Sequence, residues 1–209
     1  MPLGSMVRAL FGQNERRVAD IYRGIFVDLV DLGARLRDWT AAPLRILEVG
    51  CGEGAVTEIL AETFPGAAIV AVDITPRVGR LYGGRTDRVE FHHVTVEEIA
   101  RQYPGQFDLV VLSDVLHHVP RDGRPELLAA IGRALSPTGR LFVKDWEKSA
   151  SLIHWLCHAA DRYLTGDRVE HLTPVEAKRL VAQHAPMLKP AREGRIRPWH
   201  NNYVILFAC

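Results

Sequence analysis

Glu48, Gly50, Gly52, Gly54 and Asp73 are the residues whose types and spacing point most directly to chemistry. Glu48 stands near the end of a short apolar run, Arg45–Val49, and three glycines at alternate positions follow before a helix-forming segment begins at Ala55. Glycine lacks a Cβ, so a chain of this kind can turn sharply and let a ligand lie directly on its backbone. The N–H groups of the helix that opens behind the turn then face that ligand. Asp73 ends the next apolar run, at the distance along the chain where a carboxylate accepts hydrogen bonds from ribose hydroxyls. The combination calls for a nucleotide-like, ribose-bearing cofactor.

Those residues need a scaffold of alternating strands and helices. Strands are predicted at Arg45–Val49, Ala68–Asp73, Val89–His93, Asp108–Ser113 and Arg140–Lys144, mostly apolar runs without in/out alternation, as in parallel strands covered on both faces. Helices are predicted between them at Ala55–Phe64, Arg77–Leu81, Val96–Tyr103 and Arg124–Leu135. A further amphipathic helix, Asn14–Trp39, precedes the first strand, and another spans Ser149–Leu164. Thr173-Pro174-Val175-Glu176 is a capping box that opens a helix to about Ala185. Leu188–Ile196 and Asn202–Ala208 read as two closing strands, joined closely enough to pair antiparallel. The expected fold is α/β: a Rossmann-like, doubly wound sheet of seven strands, mostly parallel with an antiparallel last strand, and helices on both faces. Residues 1–5 read as a cloning remnant, 6–44 as an N-terminal helical cap, and 45–209 as a single domain with a helical lid at about 146–172.

Composition narrows the field. The 209 residues are 47% apolar with a net charge of +1, which gives no electrostatic reason for a nucleic-acid partner. No run approaches the roughly 20 apolar residues of a membrane span. Cys51, Cys157 and Cys209 are too scattered for a disulfide framework or a zinc knuckle, as in a reduced, cytoplasmic protein.

Gly50, Gly52 and Ala55 also satisfy the dinucleotide pattern, so NAD and S-adenosylmethionine are both open from the glycines and Asp73 alone. Glu48 ahead of the turn favours the second, because a carboxylate there can orient a cationic amino-acid moiety; the G-x-G-x-G spacing and the closing strand pair point the same way. From Ile46 to Val143 the chain resembles the class I S-adenosylmethionine-dependent methyltransferases, most closely small ones carrying the sequence Val115-Leu116-His117-His118-Val119. The resemblance implies that Glu48, Gly50, Cys51, Gly52 and Gly54 wrap the methionine part and that Asp73 and Ile74 hold the ribose. It implies that Thr95 and Val96 flank adenine and that Ser113 lines the same edge. Thr95 stands where the family commonly has an aspartate, and a hydroxyl accepts more weakly than a carboxylate.

Methyl transfer needs a nucleophile aligned with the S–C bond and water kept out. The carboxyl edge of the sheet is expected to display Ser113, Asp114, His117, His118, Asp145 and Trp146. His117 is the first candidate for an active-site base, with His154 on the lid and His200 on the last hairpin as runners-up; each also has a packing role open to it. Asp145, Trp146, Trp155 and Tyr22 are the candidate substrate contacts, the apolar character of the three aromatic ones suggesting a small apolar acceptor. No metal is expected: only two carboxylates, Asp114 and Asp145, meet at the edge, and Trp146 stands where an amide ligand would be needed. The expected partner is a small-molecule methyl acceptor, with the chain a monomer or homodimer. A nicotinamide-dependent oxidoreductase and a cofactor-binding protein repurposed for other chemistry, such as cyclisation, are the alternative readings.

Overall fold

A computed structural model of the chain describes residues 27–148 and 169–209. Within them, helices α1 (Leu29–Trp39), α2 (Ala55–Thr63), α3 (Val96–Gln102), α4 (Arg124–Ala134) and α5 (Pro174–His184) accompany seven strands. The strands are β1 (Arg45–Val49), β2 (Ala68–Asp73), β3 (Val89–His93), β4 (Phe107–Ser113), β5 (Leu135–Trp146), β6 (Lys189–Ile196) and β7 (Asn202–Ala208). They form one sheet in the order β3-β2-β1-β4-β5-β7-β6. β1 to β5 run parallel, and β7 is antiparallel to both β5 and β6. The doubly wound, mostly parallel sheet expected from the sequence is the observed one.

The continuous apolar runs are explained by burial on both sides. Leu47, Val49, Val110 and Leu112 face a core shared with α3, α4 and α5, while Ile46, Leu109 and Val111 face a second core under α1 and α2. Each such side chain taken fully out of water contributes about 1.5–3 kcal/mol. The reversal of strand order lies between β1 and β4, and both strands deliver their carboxyl ends there, where a doubly wound sheet opens a crevice.

Two expected elements differ. The predicted helix Asn14–Trp39 is not continuous over the described residues. Asp28 is extended, its carboxylate accepts from Asp31 N at 3.0 Å, and α1 begins at Leu29. An acid in mid-pattern acts here as a helix start, and Asp28 N ties that start to Arg197 O at 2.8 Å. The predicted helix Arg77–Leu81 is a set of turns. Gly79 adopts φ +64, and beside its own turn bond, Arg80 N to Arg77 O at 3.2 Å, the segment bonds to the glycine turn, Gly79 N to Gly52 O at 2.9 Å and Leu81 N to Glu53 O at 3.0 Å. The predicted helix Ser149–Leu164 lies outside the described residues.

The capping box at α5 is formed: Glu176 N donates to Thr173 Oγ1 at 3.3 Å and Thr173 N to Glu176 Oε2 at 2.8 Å. Thr173→Ala is expected to lower stability by about 1 kcal/mol through loss of that cap. Denaturant unfolding should show a lower midpoint with an unchanged slope; an unchanged midpoint would mean solvent replaces the cap at no cost.

Candidate active site

The glycine turn after β1 is held from below. Gly50 N and Cys51 N both donate to Val72 O, at 2.8 and 3.1 Å, so the turn hangs on the end of β2. Gly50 has φ +76, and a Cβ there would lie 2.2 Å from Val115 Cγ2. Gly54 caps α2 at φ +101, with Tyr82 Cβ 2.9 Å from where its own Cβ would stand. Backbone freedom and close approach therefore both require glycine at these two places. No side chain caps α2, which leaves its N-terminus facing the turn.

Two crevices flank the turn. The smaller, about 270 Å³, is lined by Glu48, Gly50, Cys51, Gly52 and Ser113 together with apolar residues of α1. The larger, about 840 Å³, is bounded by Asp73, Ile74, Thr95 and Val96 and extends towards α4. Nearly all the residues that the sequence assigned to the cofactor thus meet along one continuous edge; Gly54 lies beneath the turn and lines neither crevice.

Glu48 is buried, and Thr57 Oγ1 donates to its Oε2 at 2.6 Å. Burial pushes its carboxyl up to about 7; the Thr57 hydrogen bond opposes this, and the charge of Asp73 adds to it. Burial, with the charges of Glu48 and Asp73, also raises the Cys51 thiol well above the usual range, so it stays protonated. Asp73 accepts from Gly52 N at 2.7 Å and Thr75 N at 2.8 Å, one bond to each oxygen, and is only partly buried. Thr95 is the N-cap of α3, its hydroxyl accepting from Glu98 N at 3.3 Å while its own N–H donates to Glu98 Oε2 at 2.8 Å. That cap takes up part of the hydroxyl's capacity that the sequence had set against adenine.

The histidines and the residues after β5 are placed differently from expectation. His117 is buried, its Nδ1 paired with Asp145 Oδ1, and it lines neither crevice. Its ring packs against those of His118 and His171, and its carbonyl accepts from Glu170 N at 2.8 Å. Asp145 is fully buried and also accepts from Trp146 N at 2.7 Å; Trp146 is buried too, and neither borders a crevice. Strand alternation accounts for this: Asp145 shares its face with Val143 and Tyr203, inside the core, while Lys144 faces the smaller crevice. His200 is exposed on the β6–β7 connection at φ +58. Tyr22, His154 and Trp155 lie outside the described residues.

Lys144 was not among the residues expected at the site. It is buried, and its Nζ donates to both oxygens of Asp114, at 2.7 and 2.6 Å. A lysine inside the apolar run Leu141–Trp146 was the available signal, since a buried ammonium requires an anion. Asp114, His117 and Asp145 place one ligating atom each within 4.8 Å of the others, forming a cluster of metal-ligand type among the described residues. A cation there would have to compete with the Lys144 ammonium for Asp114, whereas on Asp145 the His117 and Trp146 bonds both go to Oδ1 and the buried Oδ2 has no hydrogen-bond partner among the described residues.

The methyltransferase domain family matches residues 21–192. The chain belongs to that family. This bears out the class expected from the sequence, the S-adenosylmethionine-dependent methyltransferases. Among its relatives, the ubiquinone biosynthesis O-methyltransferase of Aromatoleum aromaticum is 29% identical over 167 residues, 75% of this chain and 68% of that protein. The enzyme of the same name from Xanthomonas oryzae pv. oryzae is 36% identical over 112 residues, 52% of this chain and 45% of that one. The match thus spans from about half to two thirds of these relatives' length. The crystal structure of the Burkholderia thailandensis 1,6-didemethyltoxoflavin-N1-methyltransferase, with 1,6-didemethyltoxoflavin and S-adenosylhomocysteine bound, superposes with a TM-score of 0.69. It is 21% identical, and the alignment covers 98% of this methyltransferase and 87% of that chain, a likeness of fold. No helix among the described residues is long and apolar enough to cross a membrane.

Proposed function

We propose that this methyltransferase moves a methyl group from S-adenosylmethionine to an O, N or C nucleophile of a small apolar metabolite by in-line displacement. One observation carries the reading: two crevices meet on a glycine turn, with a buried carboxylate, Glu48, on the smaller one and an accessible carboxylate, Asp73, on the larger. The methionine part suits the smaller crevice, its ammonium towards Glu48 and its carboxylate towards the uncapped N-terminus of α2. The ribose suits Asp73 and the adenine the space beside Ile74, Thr95 and Val96. An oxygen acceptor is favoured by the names of the O-methyltransferase relatives; the toxoflavin enzyme, by its name, acts at nitrogen.

When bound, S-adenosylmethionine supplies the activated methyl. The chain's own residues bind and orient it and keep water away. His117 enters this scheme as a positioning residue rather than a base: paired with Asp145 and bonded through its carbonyl to Glu170, it fixes the turn that carries Asp114. Asp145 and Trp146 support that turn from within the core. Free Cys51 and Cys209 fit a reducing, cytoplasmic setting.

The test is thermal unfolding with S-adenosylhomocysteine and, separately, with NAD(P). A ligand of the folded form at 100 times its Kd stabilises by about 2.7 kcal/mol. A raised midpoint with S-adenosylhomocysteine is expected. A shift with NAD(P) alone would overturn the reading.

A further inference from the structure

Among the described residues, the two crevices share Gly50, Gly52 and Asp114 and no other lining residue. In S-adenosylmethionine the sulfur joins the amino acid to the ribose. With the methionine in one crevice and the adenosine in the other, the sulfonium must cross where they meet. Of the three shared residues only Asp114 has a side chain. We infer that the Asp114 carboxylate is the group that recognises the sulfonium charge, and that it makes this protein prefer the charged cofactor to its neutral product. The inference rests on the cofactor placement proposed above.

The local structure is built to present that carboxylate. Asp114 follows β4 at φ +57, a left-handed conformation that aspartate tolerates better than most residues. Its N–H donates to Lys144 O at 2.9 Å, which fixes the turn to the end of β5. The Lys144 ammonium grips both carboxylate oxygens from behind, with 3% of its side chain exposed against 42% for Asp114. The anion therefore stands in front of its counter-ion, towards the open space. Burial works against the charge of Asp114, but the Lys144 ammonium and the neighbouring His117 and His118 outweigh it and hold the carboxyl below the usual range.

The chemistry gives this arrangement a purpose. Transfer breaks the S–CH3 bond with its electron pair left on sulfur, while the nucleophile's lone pair forms the new bond to carbon and its proton passes to solvent. Sulfur becomes neutral, so a carboxylate facing it loses its attraction at the moment the product must leave. Glu48 and Asp73 bind parts that cofactor and product have in common and cannot make this distinction.

The experiment is calorimetric titration of S-adenosylmethionine and of S-adenosylhomocysteine into wild type, Asp114→Asn and the double variant Asp114→Asn/Lys144→Met. Asp114→Asn is expected to weaken S-adenosylmethionine binding about tenfold while changing S-adenosylhomocysteine binding by less than about threefold. The asparagine leaves a buried ammonium without its anion, which lowers the stability of the single variant. The double variant removes both charges together and carries the test if the single one does not fold. An unchanged ratio of the two affinities in a folded variant overturns the inference, as does an equal loss for both ligands. Binding of neither ligand to wild type overturns the cofactor placement, and the inference with it.

Discussion

Asp73→Ala is expected to weaken S-adenosylhomocysteine binding by about 10- to 100-fold, measured by calorimetry. A hydrogen bond to a charged group contributes about 1.5–3 kcal/mol, and each 1.4 kcal/mol is about tenfold in affinity. The carboxylate also has a second task. It already accepts from Gly52 N and Thr75 N, so it holds the middle glycine of the turn in place before any ligand arrives. An ionised carboxylate has about four lone-pair sites, so these two bonds leave room for ribose hydroxyls. The alanine variant loses both the sugar's acceptors and the anchor of the turn. Asp73→Asn keeps one acceptor oxygen and the shape of the group, and should fall between wild type and alanine. Retained affinity in a folded Asp73→Ala protein would place the ribose elsewhere.

The parts of this structure that were legible in the sequence are those set by local chemistry. β1, β2, β3 and β7 have the bounds expected from the sequence, and Gly50 closes the first of them with a turn. β5 starts earlier than its run: Leu135 pairs with Phe107 across an irregularity, and Pro137 and Gly139 hid this stretch from a reading based on apolar runs. The glycine turn and Asp73 were visible for the same reason, since their function lies in backbone conformation and in position at a strand end. The Asp114–Lys144 pair was not. Its partners are 30 residues apart and meet only because β4 and β5 are neighbours in the sheet. His117 shows the opposite case, a conspicuous residue whose chemistry faces inward. A pair of histidines after a strand reads as an active-site feature, but the turn beyond Asp114 directs the first into the core against Asp145 and leaves the second exposed beside the larger crevice.

Glu48 makes cofactor binding depend on pH, and the sign follows from its environment. Its carboxyl is raised from 4.5 to about 7, chiefly by burial, so near pH 6 the empty protein holds a proton there that the unfolded chain has lost. The folded form thus binds more protons than the unfolded form between those two values, and stability falls as pH rises through that window. For a shift of this size the contribution is about 3 kcal/mol, fully present below 4.5 and gone above about 7. Ligand binding has the opposite dependence. An ammonium next to Glu48 requires the carboxylate, so binding below pH 7 releases a proton, and affinity should rise about tenfold per pH unit between 5.5 and 6.5. Above 7 it should level off, until loss of the ligand's own ammonium proton, near 7.7–8.0 for a free α-amino group, begins to weaken it. Titrations of S-adenosylhomocysteine across pH 5.5–8 in two buffers of different ionisation enthalpy would read both the slope and the proton released. In Glu48→Gln the slope below 7 should vanish and the affinity at pH 7.5 should fall. A wild-type protein whose affinity is flat between 5.5 and 7 would show that the buried carboxylate does not meet the ammonium, and that Glu48 serves the turn through Thr57 alone.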